Sequence, residues 1–223
     1  MQLHHLIDHT LLKPTALLSE IHQLCREAVN YQFASVCVPP PFVKIARDNL
    51  SGSHVKVATV VGFPFGYSAV EAKVAETVLA LVDGADELDI VASILAIKNH
   101  DWTYIANEIN HLLPIVRNKN SIIKIIIESG ILSEQEIITC CDIYGAAGID
   151  FLKTSTGYAE NGATEEAIRL FRKHLPAHVK IKASGGIRTY EQAVAMVVAG
   201  ADRLGCSASV SIIKGENPTS SNY

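Results

Sequence analysis

Eight short apolar runs alternating with helical segments along 223 residues predict an α/β protein built as a single (β/α)8 barrel. Three observations carry that reading. The runs are rich in Ile and Val and barely alternate with polar residues, as strands covered on both faces do. The segments between them repeat apolar residues at helical spacing. A helix-to-strand turn recurs three times, at Gly84-Ala85-Asp86, Gly148-Ile149-Asp150 and Gly200-Ala201-Asp202. A doubly wound open sheet shares the alternation, but eight units in this length leave little room for insertions and favour closure.

In order, strands are expected near Leu6–Leu11, Ala34–Val38, Lys56–Val61, Glu87–Val91, Ile122–Ile127, Phe151–Thr154, Val179–Ala183 and Arg203–Cys206. Leu18, Ile21, Cys25, Ala28 and Val29 mark the buried face of a first helix, and Val70, Val74, Val78 and Leu81 that of a later one. Helix starts carry capping boxes, in which paired side chains satisfy orphan N–H groups. They are Ser68-x-x-Glu71, Ser133-x-x-Glu136 and Thr189-x-x-Gln192. The barrel domain is expected over residues 1–213, with the polar residues 214–223 as a flexible C-terminal tail.

Composition narrows the function classes. Hydrophobic residues make up 48% of the chain and charged residues 19%, enough apolar material for a buried core. A net charge of −4 with no basic run points away from nucleic acid and from a membrane surface. The N-terminus lacks the pattern of a signal peptide, and the longest apolar run, around Ile122–Ile127, is interrupted by Lys124. Five cysteines with no CxxC pair read as reduced thiols in the cytoplasm. Cys and His are too scattered to propose a zinc site, so neither a metal nor another cofactor is expected.

Barrels of this kind carry their reactive groups at the C-terminal ends of strands. Asp89, Lys153 and Lys182 are the ionisable residues that stand out there. A lysine in an apolar strand is costly when charged, so its pKa falls or it finds a partner. Two such lysines on neighbouring strands depress one another, and the one left neutral is a nucleophile able to form a Schiff base. For Lys182 taken alone, pairing or snorkelling to the surface is the plainer reading. Ser184-Gly185-Gly186 and Gly205-Cys206-Ser207 follow the last two strands, where barrel loops hold phosphate; a Gly-Gly pair also makes a plain tight turn.

These segments resemble the deoxyribose-phosphate aldolases, a class I aldolase family. The resemblance runs in order through Ile7-Asp8-His9-Thr10-Leu11-Leu12-Lys13-Pro14, Val36-Cys37-Val38-Pro39, Gly62-Phe63-Pro64-Phe65-Gly66, Glu87-Leu88-Asp89-Ile90-Val91 and Ile126-Ile127-Glu128-Ser129-Gly130. It continues through Leu152-Lys153-Thr154-Ser155-Thr156-Gly157, Lys182-Ala183-Ser184-Gly185-Gly186-Ile187-Arg188-Thr189 and Arg203-Leu204-Gly205-Cys206-Ser207.

The resemblance implies reversible cleavage of 2-deoxy-D-ribose 5-phosphate to acetaldehyde and D-glyceraldehyde 3-phosphate, with bond breaking between C3 and C4. It implies Lys153 as the Schiff-base lysine, Lys182 as the neighbour that lowers its pKa, and Asp89 as organiser of proton transfer. Gly185, Gly186 and Ser207 would hold the phosphate, Thr156 and Asp8 would line the substrate pocket, and Tyr223 would either shuttle a proton or be a disordered end residue. Two positions depart from the family. Ala208 stands where a second serine often follows, with backbone N–H groups or Ser209 as substitutes, and Tyr158 stands where some members carry a lysine. The partners expected are the sugar phosphate and acetaldehyde, with no nucleic acid and no membrane; among assemblies a homodimer is considered.

Lesser candidates are Cys37, His9 and Glu128, the first two as core and hydrogen-bonded structural residues, the last as a group orienting a lysine or Ser129. Cys140 and Cys141 read as helix packing residues. The competing readings are a sugar-phosphate isomerase or epimerase, which usually relies on carboxylate bases or a metal, and a non-catalytic phosphosugar-binding barrel, which has no use for two interior lysines.

Overall fold

The computed structural model of the chain describes residues 1–216, and in it the eight runs close into a barrel. Strands β1 (Ile7–Thr10), β2 (Ser35–Val38), β3 (Lys56–Val61), β4 (Glu87–Val91), β5 (Ile122–Ile126), β6 (Phe151–Lys153), β7 (Lys180–Ser184) and β8 (Arg203–Cys206) are parallel. Each pairs with its sequence neighbour, and β8 closes on β1 through Asp8↔Gly205. Every strand lies within one residue of its expected limits, because short apolar runs bounded by turns leave little freedom in where a buried strand begins.

The outer layer is α1 (Leu18–Asn30), α2 (Val43–Asn49), α3 (Val70–Val82), α4 (Ile94–Lys98), α5 (Trp102–Arg117), α6 (Glu134–Ala147), α7 (Glu165–His174), α8 (Tyr190–Ala199) and α9 (Ser209–Lys214). The main apolar core lies between this layer and the strands. The capping boxes at Ser133 and Thr189 form as expected. The one expected at Ser68 does not: α3 starts at Val70 behind Ala69, with no side-chain cap. A box-like bond absent from the expectation occurs at α1, where the Glu20 carboxylate accepts from the Leu17 N–H at 2.8 Å.

Helix faces also depart from expectation in part. α1 buries Ile21, Leu24, Cys25 and Ala28, while Leu18 and Val29 are exposed. α3 buries Val70, Lys73, Thr77 and Ala80, and leaves Val78 exposed. The cause is Lys73, whose ammonium donates to the Val91 carbonyl at 2.7 Å and to Glu108 at 2.5 Å. That buried pair turns a polar residue inward and rotates the apolar stripe away.

The recurrent Gly-x-Asp turns form one device at the N-terminal end of the barrel. Gly148, with φ 73°, takes the left-handed conformation that ends α6. Two residues later Asp150 accepts from the Ile123 N–H at 2.9 Å, tying the next strand's entry to its neighbour. Asp86 does the same for Val57 and Asp202 for Ile181, each at 2.8 Å. An arginine from an earlier helix holds each carboxylate: Arg47 on Asp86, Arg117 on Asp150 and, more loosely at 3.8 Å, Arg172 on Asp202. Asp150→Ala removes a strand-entry bond and a two-pronged Arg117 contact. It is expected to cost about 1–3 kcal/mol, a drop in Tm of roughly 2–12 °C for a chain of this size. A thermal melt measures the loss, and unchanged turnover separates this face from the chemistry.

Alternate strand residues face the helices or the barrel axis. Toward the axis, Leu12, Cys37, Ala58 and Val60 form a small apolar cluster with Phe63 packed on it. Much of the rest of the axis is occupied by charged side chains, where barrels ordinarily carry layers of Val, Ile and Leu.

Candidate active site

Seven ionisable side chains from six strands meet inside the barrel. Lys153 at the end of β6 donates to Asp89 Oδ2 at 2.6 Å, and Lys182 from the middle of β7 donates to the same oxygen at 2.7 Å. Lys124 from β5 donates to Asp89 Oδ1 at 2.7 Å and lies 2.6 Å from Glu87 Oε2. Asp8 from β1 accepts from Arg203 at 2.6 Å, and its other oxygen lies 2.5 Å from Lys182 Nζ, a charge contact without hydrogen-bond alignment. Arg203 also reaches Glu87 at 3.3 Å. Lys124, Lys182, Asp8 and Asp89 have no solvent exposure, and Lys153 has 3%.

Four basic groups and three carboxylates share this cluster, so one proton is in excess if all are ionised. The electrostatics identify the group that gives it up. Burial, reinforced by the charge of Lys182, lowers the Lys153 pKa against the pull of Asp89. Burial would lower Lys182 as well, but Asp8 and Asp89 outweigh it and raise its pKa. Lys124 is raised in the same way by Asp89, Glu87 and Asp8. Burial acts to raise Asp89 and Asp8, yet their lysine and arginine neighbours prevail and hold both carboxyls well below the usual range. The mutual depression expected of the two lysines is therefore one-sided: Lys182, paired with Asp8 and Asp89, is favoured as the ammonium, and Lys153 is the amine whose pKa falls.

Lys153 opens onto a pocket at the C-terminal mouth. Its lining includes Thr10, Leu12, Thr156, Gly157, Gly185, Gly186, Arg188 and Ser207. Gly185 and Gly186 both have positive φ, 85° and 80°, a backbone path that side-chain-bearing residues rarely take, and both line the pocket. Arg188 lies on the same loop. It is exposed, and its guanidinium has no partner among the described residues. The sequence reading gave it no role although it quoted the segment.

The structure places the remaining candidates as follows. Asp8, expected in the pocket wall, lies deeper, beneath Lys182 and Arg203, because its charge is spent on them. Ser209 does not stand in for a serine at Ala208: it is fully buried, its hydroxyl bonded to the Cys206 carbonyl and to His9. His9 also bonds Glu27 at 2.8 Å, a structural role. Cys37 is buried in the axial cluster, and burial pushes its thiol up to about 11. Cys140 and Cys141 are buried in α6. Tyr158 donates its hydroxyl to the Leu12 carbonyl at 3.0 Å, and its ring meets Phe63 edge-on. Tyr223 lies outside the described residues. Lys124, Glu87 and Arg203 were missed; the available signal was a charged residue amid β-branched neighbours, plain for Lys124 between Ile123 and Ile125.

Among the described residues no group of three or more His, Cys, Asp or Glu is arranged to hold a metal ion, and no helix is long and apolar enough to cross a membrane.

Comparison with known proteins agrees with the motifs. Residues 3–215 match the profile of the DeoC/LacD family aldolases. A deoxyribose-phosphate aldolase of Thermococcus gammatolerans is 48% identical over 211 residues, covering 94% of each chain. One of Caldicellulosiruptor saccharolyticus is 50% identical over 208 residues, covering 93% of this chain and 94% of its own. The solved deoxyribose phosphate aldolase of Aeropyrum pernix, described as a tetramer, superposes with a TM-score of 0.88 at 30% identity, over 95% of this chain and 89% of that one. The resemblance drawn from the motifs is therefore borne out, and the chain belongs to the DeoC/LacD family of aldolases.

Proposed function

We propose that the chain cleaves 2-deoxy-D-ribose 5-phosphate reversibly to acetaldehyde and D-glyceraldehyde 3-phosphate through a Schiff base on Lys153. The observation that carries this reading is the asymmetry of the lysines: among those gathered in the barrel, the one bordering the pocket is the one whose pKa burial and a neighbouring ammonium depress.

Neutral Lys153 adds to the C1 aldehyde of the open sugar phosphate. Its N–H proton passes through Asp89 Oδ2, 2.6 Å away, to the new alkoxide, giving the carbinolamine, and Lys182 on the same oxygen supplies the second proton, with which the hydroxyl leaves as water. The iminium then draws electrons from the bond between its α and β carbons. That bond is C2–C3, which corrects the C3–C4 bond of the sequence reading: only electrons released at C2 can be delocalised into the C1 iminium. The C3 hydroxyl loses its proton as D-glyceraldehyde 3-phosphate departs. The two-carbon enamine is protonated at C2, and water releases acetaldehyde and Lys153.

The phosphate end is assigned to Gly185, Gly186, Ser207 and Arg188, with Arg188 supplying the cation that Tyr158 does not. Arg188→Ala is expected to raise KM for the phosphorylated substrate roughly 10–100-fold, the value of a charge-assisted contact. Turnover of unphosphorylated 2-deoxyribose should change little. Free buried thiols support a reducing compartment, the cytoplasm. For the assembly, light scattering distinguishes the homodimer considered from a tetramer like that of the Aeropyrum pernix relative.

The direct test is to incubate the protein with acetaldehyde, reduce with borohydride and map the modified peptide by mass spectrometry. An ethyl adduct on Lys153 is expected; a folded sample with no adduct would sink the Schiff-base reading and favour a phosphosugar-binding role.

A further inference from the structure

The loop after β6 carries the pocket residues Thr156 and Gly157, and it is gripped from both sides. On the β7 side Ser184 Oγ donates to the Ser155 carbonyl at 2.5 Å, and Ala163 N–H donates to the carbonyls of Ser184 and Gly185, both at 3.1 Å. Gly162 packs so closely on Gly185 that a Cβ there would lie 2.2 Å from the Gly185 oxygen.

On the β5 side one side chain holds the pocket-lining part of the loop. Glu128 has φ 53° and ψ 57°, left-handed values that a residue with a Cβ seldom takes. Such a backbone persists where surrounding contacts compensate, and it concentrates at functional sites. Here it aims a buried carboxylate, 5% exposed, at the loop. Both carboxylate oxygens accept from the Thr156 N–H, at 3.2 and 3.3 Å, and Oε2 also accepts a short bond from Thr156 Oγ1. Thr156 Oγ1 in turn accepts from the Tyr158 N–H at 3.1 Å. The threonine hydroxyl is therefore committed to the protein, and Thr156 shapes the pocket as a fixed wall. Gly157, between the two anchored residues, lines the pocket beside Gly185, Gly186 and Ser207.

We propose that Glu128 is a positioning residue: through Thr156 it sets the wall of the pocket and the placement of Gly157 at the phosphate end. Its carboxylate bonds are to Thr156 and not to Lys153, so its main effect falls on substrate binding and only a through-space charge effect reaches the amine. Burial raises the Glu128 pKa, with the Thr156 bonds and Lys153 opposing, which is consistent with a carboxylate kept in a dry contact for geometry. The proposal rests on the assigned sugar-phosphate site, and its test separates the two.

The experiment compares wild type with Glu128→Ala, Glu128→Gln and Thr156→Val. Amide exchange of the peptide containing residues 155–159 is read by mass spectrometry, alongside steady-state cleavage of deoxyribose 5-phosphate and borohydride trapping of acetaldehyde. In Glu128→Ala, exchange should quicken at least 10-fold in this loop and not in β6. KM should rise roughly 10–100-fold, the span of one lost charge-assisted bond, while kcat and the trapping rate at Lys153 stay within about threefold. Glu128→Gln, which keeps one acceptor, should recover part of KM. Thr156→Val removes only the hydroxyl bond and keeps the backbone N–H contacts, so it should loosen the loop less than Glu128→Ala, and the double variant should add little to Glu128→Ala alone. Unchanged loop exchange, or trapping that falls as far as turnover, overturns the proposal. If wild type gives no adduct, the Schiff-base reading fails, and loop exchange alone still decides whether Glu128 is the clamp.

Discussion

Lys153→Ala is expected to lower turnover by at least about 10⁴-fold, as removal of a covalent nucleophile does, and to abolish borohydride trapping. Its two lysine neighbours are poor substitutes. Lys182 and Lys124 each contact at least two carboxylates and are held protonated, and an ammonium has no lone pair to offer. Lys153 is the group that gives up the excess proton of the cluster, so its removal leaves the other three basic groups and three carboxylates in balance, and the variant should fold and melt near wild type. Ordinary residual activity in a folded Lys153→Ala sample, followed by a coupled assay for glyceraldehyde 3-phosphate, would falsify the mechanism.

Lys182→Met should be the next most damaging change, lowering kcat at neutral pH by about 10²–10⁴-fold, the range spanned by assisted proton transfer. Two effects act together. Asp89 Oδ2 loses one of its two lysine donors, and Lys153 loses the ammonium that lowers its pKa. The sign is definite. Lys153 reacts as the free amine, so activity rises as pH passes upward through its pKa. Raising that pKa moves the rising limb of the kcat profile to higher pH, and activity should partly recover in alkaline buffer. Asp8 and Asp89 are also left with one cation fewer, and breaking a buried pair costs about 3–5 kcal/mol, so Tm must be measured beside activity. A folded variant whose pH profile coincides with wild type would contradict the role given to Lys182.

Much of the protein was legible from local chemistry. Short, mostly apolar runs bounded by turn residues locate all eight strands, since strands covered on both faces are built chiefly from apolar side chains. Glycine and aspartate after α6 mark the turn because left-handed backbone and an acceptor for the next strand's N–H are both short-range requirements. Lys153, Lys182 and Asp89 stand out because ionisable groups in apolar strands need an explanation.

Tertiary structure decided what depends on distance across the barrel. Lys153 and Asp89 are 64 residues apart, Lys182 and Asp89 are 93, and no local pattern encodes a 2.6 or 2.7 Å contact at such separation. Lys124 was passed over as an interruption of an apolar run, yet its inward direction makes it the partner of Asp89 and Glu87. Asp8 moved from the pocket wall to the base of the cluster for the same reason, and Ser209 turned toward His9. The sequence by itself determined the strands, the closed α/β architecture and the pair of interior lysines, because propensity, patterning and burial cost are properties of residues and their near neighbours. Why burial and a neighbouring ammonium depress Lys153 while Asp8 and Asp89 raise Lys182, and that Glu128 holds the loop beside them, only the folded barrel decided: a pKa inside a protein is set by the charges that surround it in space.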